Sequence, residues 1–264
     1  MSRLQKVFLS GNRGAFIAFL VAGDPDYETS LSYVNTVIDA GADVLELGMP
    51  FSDPVADGPV IQKADERALA AGMTPDHLFS LIREIRTRSE IPLVILSYYN
   101  SVFVRGIARF YREAAEAGAD GILVVDLPLE ESDEVVKIAR KNSIDPVFLI
   151  AETTSHSRLE RIASRAKGFL YLVSTPGVTG VREEMFPRMK DLISRVRAAS
   201  PLPIAVGFGI SRPEQVRYLQ GSGADAVIVG SAIVQRIQDS LGDSKKGLDE
   251  VARYIREMKR VLGS

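Results

Sequence analysis

Apolar residues along this chain fall into two alternating patterns. One is a short unbroken run; the other is a longer stretch in which apolar positions recur every three or four residues. Ala15-Phe16-Ile17-Ala18-Phe19-Leu20-Val21 is a run of the first kind, closed by Gly23-Asp24-Pro25. Such a run reads as a strand buried on both faces, as parallel sheets require. Leu31, Val34, Val37 and Ile38 follow at helical spacing and stop at Ala40-Gly41. The second run, Asp43 to Gly48, comes next. Further runs span Pro92 to Leu96, Gly121 to Val125, Pro146 to Ile150, Phe169 to Val173, Pro203 to Val206 and Ala226 to Val229, which makes eight. Helical spacing separates them, as in Leu78/Leu81/Ile82/Ile85, Ile107/Phe110/Ala114 and Met189/Leu192/Ile193/Val196. A last helix carries Leu248, Val251, Ile255, Met258 and Leu262.

Eight alternations with right-handed crossovers close most simply as an α/β fold of the (β/α)8 TIM-barrel type, a single domain over residues 1–264. The 264 residues supply eight units of about 33 residues each. An open doubly wound sheet is the alternative. It usually places a Gly-rich dinucleotide turn after its first strand, and Gly23-Asp24-Pro25 is not one. Gly41-Ala42-Asp43, Gly118-Ala119-Asp120 and Gly223-Ala224-Asp225 each stand between a helical pattern and an apolar run. Three copies of one helix-stopping turn argue for a repeated unit. Thr74-Pro75 predicts a helix start, and Ser211-x-x-Glu214 reads as a capping box.

Composition narrows the function. Hydrophobic residues make up 46% and net charge is −2, so there is a large core and no bulk field to recruit nucleic acid. With no cysteine, disulfides and thiolate chemistry are excluded, which suits a reducing cytoplasm. Met1 to Gln5 is polar and no apolar leader follows. No run approaches the roughly 20 apolar residues of a membrane span.

The candidate chemistry centres on the second strand and the connection after it, Leu45-Glu46-Leu47-Gly48-Met49-Pro50-Phe51-Ser52-Asp53-Pro54-Val55-Ala56-Asp57-Gly58-Pro59-Val60-Ile61-Gln62. Glu46 is a carboxylate among aliphatics, costly unless paired or used. We expect it to face Asp57 on the loop across a small pocket, with burial raising its pKa and Asp57 staying ionised. The structural alternatives are a buried ion pair for Glu46 and a helix N-cap for Asp57. Tyr98 and Asn100, after the third strand, are candidates to support Asp57, and Asp126 reads as an acid standing behind the pair or as a structural cap. His77 and His156 read as solvated and capping residues. Two long connections, Met49 to about Gly72 and Ser174 to Glu184, fall on the C-terminal face, where barrel enzymes keep their sites. That face also carries Gly177-Val178-Thr179-Gly180, Gly207-Phe208-Gly209 and Gly230-Ser231. Glycines at consecutive strand ends, beside a helix starting near Ser231, suit a phosphate held by backbone amides and a hydroxyl.

The Leu45–Gln62 segment closely resembles the signature of the tryptophan synthase alpha subunit family. So do Gly23-Asp24-Pro25, Asp126-Leu127-Pro128 with Glu130-Glu131-Ser132, Gly177-Val178-Thr179-Gly180 and Gly207-Phe208-Gly209-Ile210. Thr175-Pro176 stands where the family often has Arg-Ser. The resemblance implies retro-aldol cleavage of indole-3-glycerol phosphate to indole and glyceraldehyde 3-phosphate, with Glu46 and Asp57 catalytic. It assigns Gly180, Gly209, Gly230 and Ser231 to the phosphate, and Phe19, Ile61, Leu96, Leu123, Tyr171 and Phe208 to the indole pocket. It makes Asp53 and Pro54 the contact to a beta subunit in an alpha2-beta2 heterotetramer. It implies no metal and no cofactor in this chain, pyridoxal phosphate belonging to the beta subunit. Two other readings remain open on the residues: another sugar-phosphate barrel isomerase or epimerase, and a non-catalytic barrel that docks and activates a beta subunit.

Overall fold

The computed structural model describes residues 2–9, 14–173, 182–207 and 209–262, with 182–186 described by backbone alone. Eight parallel strands, β1 (Ala15–Val21), β2 (Val44–Gly48), β3 (Leu93–Ser97), β4 (Gly121–Val124), β5 (Asp145–Ala151), β6 (Leu170–Val173), β7 (Ile204–Gly207) and β8 (Ala226–Val229), pair in sequence order, and β8 closes on β1. This is the expected (β/α)8 barrel.

Helices cover the barrel. They are α1 (Arg3–Leu9), α2 (Tyr27–Asp39), α3 (Pro59–Ala70), α4 (Pro75–Arg86), α5 (Tyr99–Arg105), α6 (Ile107–Ala117), α7 (Asp133–Lys141), α8 (His156–Arg165), α9 (Arg182–Ala199), α10 (Pro213–Gly221), α11 (Ser231–Asp239) and α12 (Ser244–Arg260). Two of them carry no clear periodic signal. In α1 only Leu4 is buried; it sits close beneath Gly121 and Gly168 and closes the N-terminal end of the barrel. In α5 only Val102 is buried, and Phe103 and Val104 face outward. At two further helix starts local chemistry is plain. Thr74 Oγ1 accepts the His77 amide ahead of α4, with Pro75 in the first turn. The α10 start differs from the expected box by one residue. Arg212 is the N-cap, and Gln215 Oε1 accepts the amides of both Ser211 and Arg212, so the amide of Gln215 does what was expected of Glu214.

The three repeated junctions do more than stop helices. Gly41, Gly118 and Gly223 have φ of 102°, 107° and 96°, values that disfavour any side chain. The aspartate that ends each triplet then reaches to the neighbouring strand. Asp43 Oδ2 accepts the Phe16 amide at 2.7 Å, Asp120 Oδ2 the Leu93 amide at 2.9 Å, and Asp225 Oδ2 the Ile204 amide at 2.8 Å. Each is also paired with a cation: Lys259 on Asp43, Arg86 and Arg3 on Asp120, Arg197 on Asp225. One device thus ties β1 to β2, β3 to β4 and β7 to β8 at the N-terminal face. The C-terminal face is left to the connections that build the site.

Candidate active site

Glu46 lies mid-strand in β2, in register with Phe19 of β1 and Val94 of β3. It is fully buried, and neither carboxyl oxygen has a hydrogen-bond partner among the described residues. The ion-pair alternative therefore fails. Burial first, and the Asp57 charge second, push its carboxyl up to about 8.

Asp57 ends the connection from β2. Gly58 is the N-cap of α3 and Pro59 its first residue, so Asp57 is not the helix cap. Two neighbours hold it: the Tyr98 hydroxyl donates to Oδ2 at 2.7 Å, and Gln62 Nε2 donates to its backbone oxygen at 2.8 Å. Tyr98 also accepts the Ala56 amide at 3.0 Å, and its ring stacks on Phe51, 4.9 Å between centroids and 21° between planes. Burial raises the Asp57 carboxyl and the Tyr98 donor opposes it. Both acids of the pair are thus desolvated, but only Asp57 has a side-chain donor. A donor favours the ionised form, so one proton shared by the pair resides on Glu46.

Tyr98 supports Asp57 as expected. Asn100 does not; it is exposed in α5 and lines an outer cleft of about 460 Å³ with Met49, Pro50, Leu69 and Val104. Asp126 is the cap: its Oδ1 accepts the Tyr99 amide at 2.6 Å, fixing the start of α5 beside Tyr98. Phe51 was missed by sequence reasoning although it lies inside the signature, because its stacking partner is 47 positions away.

Apolar walls surround the pair. Phe19 is nearly fully buried, and its ring fills the ground where Gly48 and Gly230 lack side chains; a Cβ there would come within 2.8 and 2.9 Å of the ring. Gly48, Leu96 and Leu123 fall on one register row. Tyr171 lies over Gly207, where a Cβ would meet its ring at 2.6 Å. Burial first, then the charges of Glu46 and Asp57, raise the Tyr171 phenol well above its usual range, so it stays neutral. Ile61 lies in the first turn of α3, half-buried against the core.

At the adjoining strand ends, Gly209 has φ of 68° and open space before it, while its carbonyl accepts from Gln215 Nε2 at 3.4 Å. Gly230 precedes α11, and its carbonyl accepts from Ile233 and Val234. The amides of Ser231 and Ala232 are left at the helix end, where the dipole favours an anion. Gly180 and Phe208, with Gly177, Val178 and Thr179, lie outside the described residues. Asp53 is exposed, Pro54 is half-buried, and Val55 is 84% exposed. Among the described residues no cluster of histidine and carboxylate side chains could hold a metal ion.

Comparison with known proteins identifies relatives of the whole chain. A family model described as tryptophan synthase alpha chain matches residues 6–262. The tryptophan synthase alpha chain of Methanoregula boonei is 53% identical over 260 residues, 98% of each chain. The crystal structure of tryptophan synthase subunit alpha from Legionella pneumophila is 37% identical, with a TM-score of 0.91 over 99% of this chain and 98% of that one. A Pyrococcus furiosus structure, described as giving the basis of mutual activation of the tryptophan synthase a2b2 complex, is 39% identical, with a TM-score of 0.88 over 94% and 99%. The barrel and these likenesses agree, and the chain belongs to the tryptophan synthase alpha chain family.

Proposed function

We propose that the chain, acting as one domain, cleaves indole-3-glycerol phosphate to indole and glyceraldehyde 3-phosphate with Glu46 and Asp57 as its acid–base pair. The observation that carries this is a fully buried carboxyl, Glu46, with no hydrogen-bond partner among the described residues, beside an anchored carboxylate, Asp57. A residue kept in that state at a cost of burial is poised to exchange a proton.

The protonated Glu46 gives its proton to the ring carbon that bears the glycerol chain. The ring N–H, now acidic, donates to Asp57, which offsets the charge on the protonated ring. The bond to the side chain then breaks and its electrons return to the ring, restoring indole. The side-chain hydroxyl loses its proton to the Glu46 carboxylate and becomes the aldehyde. Glu46 ends protonated, as it began. Phe19, Ile61, Leu96, Leu123, Tyr171 and Phe208 form the slot for the flat ring, an apolar surround that raises the worth of the two carboxylates. Gly180, Gly209, Gly230 and Ser231 take the phosphate through backbone amides and the Ser231 hydroxyl.

The chemistry asks nothing of this chain beyond two carboxylates and these donors. Pyridoxal phosphate belongs, on this reading, to a beta subunit that takes the indole within an alpha2-beta2 assembly, docked at Asp53 and Pro54; the mutual activation named for the Pyrococcus furiosus complex supports it. No helix among the described residues is long and apolar enough to cross a membrane, and a cytoplasmic setting accords with the absence of cysteine. Indole release from indole-3-glycerol phosphate, with and without a beta subunit, tests the proposal. Release of no indole under either condition overturns it.

A further inference from the structure

Tyr254 lies in α12, and the cleavage described above makes no use of it. In the sequence it stands at helical spacing from Val251, Ile255 and Met258 and reads as one more apolar position. It is only 5% exposed. A buried phenol needs a partner for its hydroxyl, and its face can hold a cation. In this chain the two ends of Tyr254 reach two different elements.

The hydroxyl donates to the backbone oxygen of Ser211 at 3.2 Å. Ser211 belongs to the connection after β7, two residues beyond Gly209. Gln215 holds the same connection from the other side: its Oε1 accepts the Ser211 and Arg212 amides, and its Nε2 donates to the Gly209 oxygen. The ring of Tyr254 serves α11. The Arg236 guanidinium lies 3.6 Å from the ring centroid, and its Nη1 donates to the Ala232 oxygen at 2.6 Å. Ala232 is in the first turn of α11, the turn whose amides are left at the helix end. One side chain therefore grips the Gly209 connection directly and the start of α11 through a single arginine.

These two turns sit side by side, because β7 pairs with β8. A phosphate held by both needs their amides at a set separation, since a hydrogen bond weakens steeply as its angle and distance depart from the ideal. A glycine turn has no side chain of its own to fix it, so the tie has to come from a neighbour. The neighbour here is firmly seated. α12 packs on α2 and α11, and Lys259 near its end pairs with Asp43, which also accepts the Phe16 amide of β1. Burial pushes the Tyr254 phenol up to about 12, with the Arg236 charge opposing, so the hydroxyl stays a donor near neutral pH.

We propose that Tyr254 is a positioning residue for the phosphate end, tying the connection after β7 to the first turn of α11 through its hydroxyl on Ser211 and its ring under Arg236. The inference rests on the reading of Gly209, Gly230 and Ser231 as the residues that hold the phosphate.

Tyr254→Phe removes the hydroxyl and keeps the ring, Tyr254→Leu removes both, and Arg236→Met removes the guanidinium alone. Each should raise KM for indole-3-glycerol phosphate about three- to tenfold, the effect of one weakened hydrogen bond, with kcat within about twofold. In titration calorimetry Kd should rise by a similar factor for glyceraldehyde 3-phosphate and stay unchanged for indole, which carries no phosphate. Hydrogen exchange reads the two grips without any ligand. Protection of the Ser211 amide should fall in both Tyr254 variants. Protection of the Ile233 amide, in the first turn of α11, should fall in Tyr254→Leu and persist in Tyr254→Phe. If Tyr254→Leu does not fold, Arg236→Met takes its place and should lower Ile233 protection alone. A Tyr254 that only fills space would lower the melting temperature while leaving the phosphate affinity and both protections unchanged, and that result would overturn the inference. Equal losses of affinity for indole and glyceraldehyde 3-phosphate would overturn it too. Failure of the parent chain to bind glyceraldehyde 3-phosphate would overturn the reading of the phosphate end instead, and the exchange measurement would still decide whether Tyr254 ties the two turns.

Discussion

The Tyr98 hydroxyl donates to Asp57 Oδ2 over 2.7 Å, from a ring pinned by Phe51 on one side of the barrel mouth. The acid on the loop is therefore held by its neighbours before any substrate arrives. This separates two properties of Asp57, its place and its charge. Asp57→Asn keeps an oxygen for Tyr98 but loses the charge that offsets a protonated ring. On the proposed mechanism kcat for indole release should fall roughly 10²-fold or more, with KM little changed. Steady-state kinetics decide it. A rate within about threefold of the parent would reduce Asp57 to a loop anchor.

Glu46→Gln should abolish cleavage, by roughly 10²- to 10⁴-fold or more, because the amide keeps the shape and cannot shuttle a proton. The same variant should be the more stable protein near neutral pH. The folded-state pKa of Glu46 is raised from 4.5 to about 8, so between those values the folded chain holds a proton that the unfolded chain has released. Stability then falls as pH rises through that window and is flat above it. Removing the group removes this slope. The melting temperature of Glu46→Gln should exceed that of the parent at pH 7, and the gap should shrink toward pH 4.5. Asp65, raised to about 8 as well, leaves its own slope in both proteins. An equal melting temperature across the range would mean that Glu46 is not buried as a neutral acid.

The barrel was legible because its strands are buried on both faces and so appear as unbroken apolar runs. Glu46 was legible for the same reason, a carboxylate standing out in such a run. Leu4 in α1 and Val102 in α5 were not, since a helix with one buried residue has no period to read. The Phe51–Tyr98 stack joins residues far apart in the chain, and no local pattern encodes it. Tyr254 was hidden in the apolar stripe of α12, since spacing shows a buried face and not what a hydroxyl on it meets. The glycine of the repeated junctions was readable as a helix stop. The strand-tying role of the aspartate that follows became clear only once β1, β3 and β7 were in place.

That aspartate gives a stability prediction. Asp120 accepts the Leu93 amide and two guanidinium groups, and Arg86 beside it is largely buried. Asp120→Ala leaves the buried Leu93 amide without its acceptor and takes the counter-charge from Arg86, which keeps the carbonyls of Gly118, Ser89 and Ile91. The loss should be about 2–4 kcal/mol in unfolding free energy. Urea denaturation with unchanged m-value is the measurement. A loss below about 0.5 kcal/mol would mean that the amide and cations find other acceptors.

Gly209 tests the phosphate end. Its φ of 68° strains any side chain, yet no atom of the described residues would meet an added Cβ. Gly209→Ala should therefore cost stability through the backbone, about 1 kcal/mol, and weaken substrate modestly. Gly209→Asp adds a carboxylate facing the anion and should raise KM far more, with similar stability. Equal KM values for the two variants would put the phosphate elsewhere.

Partner activation is the remaining test, and the loop geometry sets its form. Asp53 is exposed, its Oδ2 accepting the neighbouring Ser52 hydroxyl at 2.6 Å, and Val55 beside it stands 84% exposed. Four residues on, Asp57 is tied to Tyr98. The outer end of the connection is thus free to meet another protein while the inner end carries the proposed catalytic acid. A beta subunit that grips Asp53-Pro54 would raise the fraction of chains with Asp57 correctly set, and the gain in activity is bounded by the inverse of that fraction. The effect should appear in kcat, with KM for the phosphate-bearing substrate little changed. Asp53→Lys reverses a surface charge without touching the Tyr98 anchor. It should leave basal indole release within about twofold and lose most of the activation. Titrating a beta subunit into both proteins while following indole release decides between them. Equal activation of parent and variant would remove this connection as the coupling element, and a collapse of basal activity in Asp53→Lys alone would mean that its outer and inner ends do not move independently.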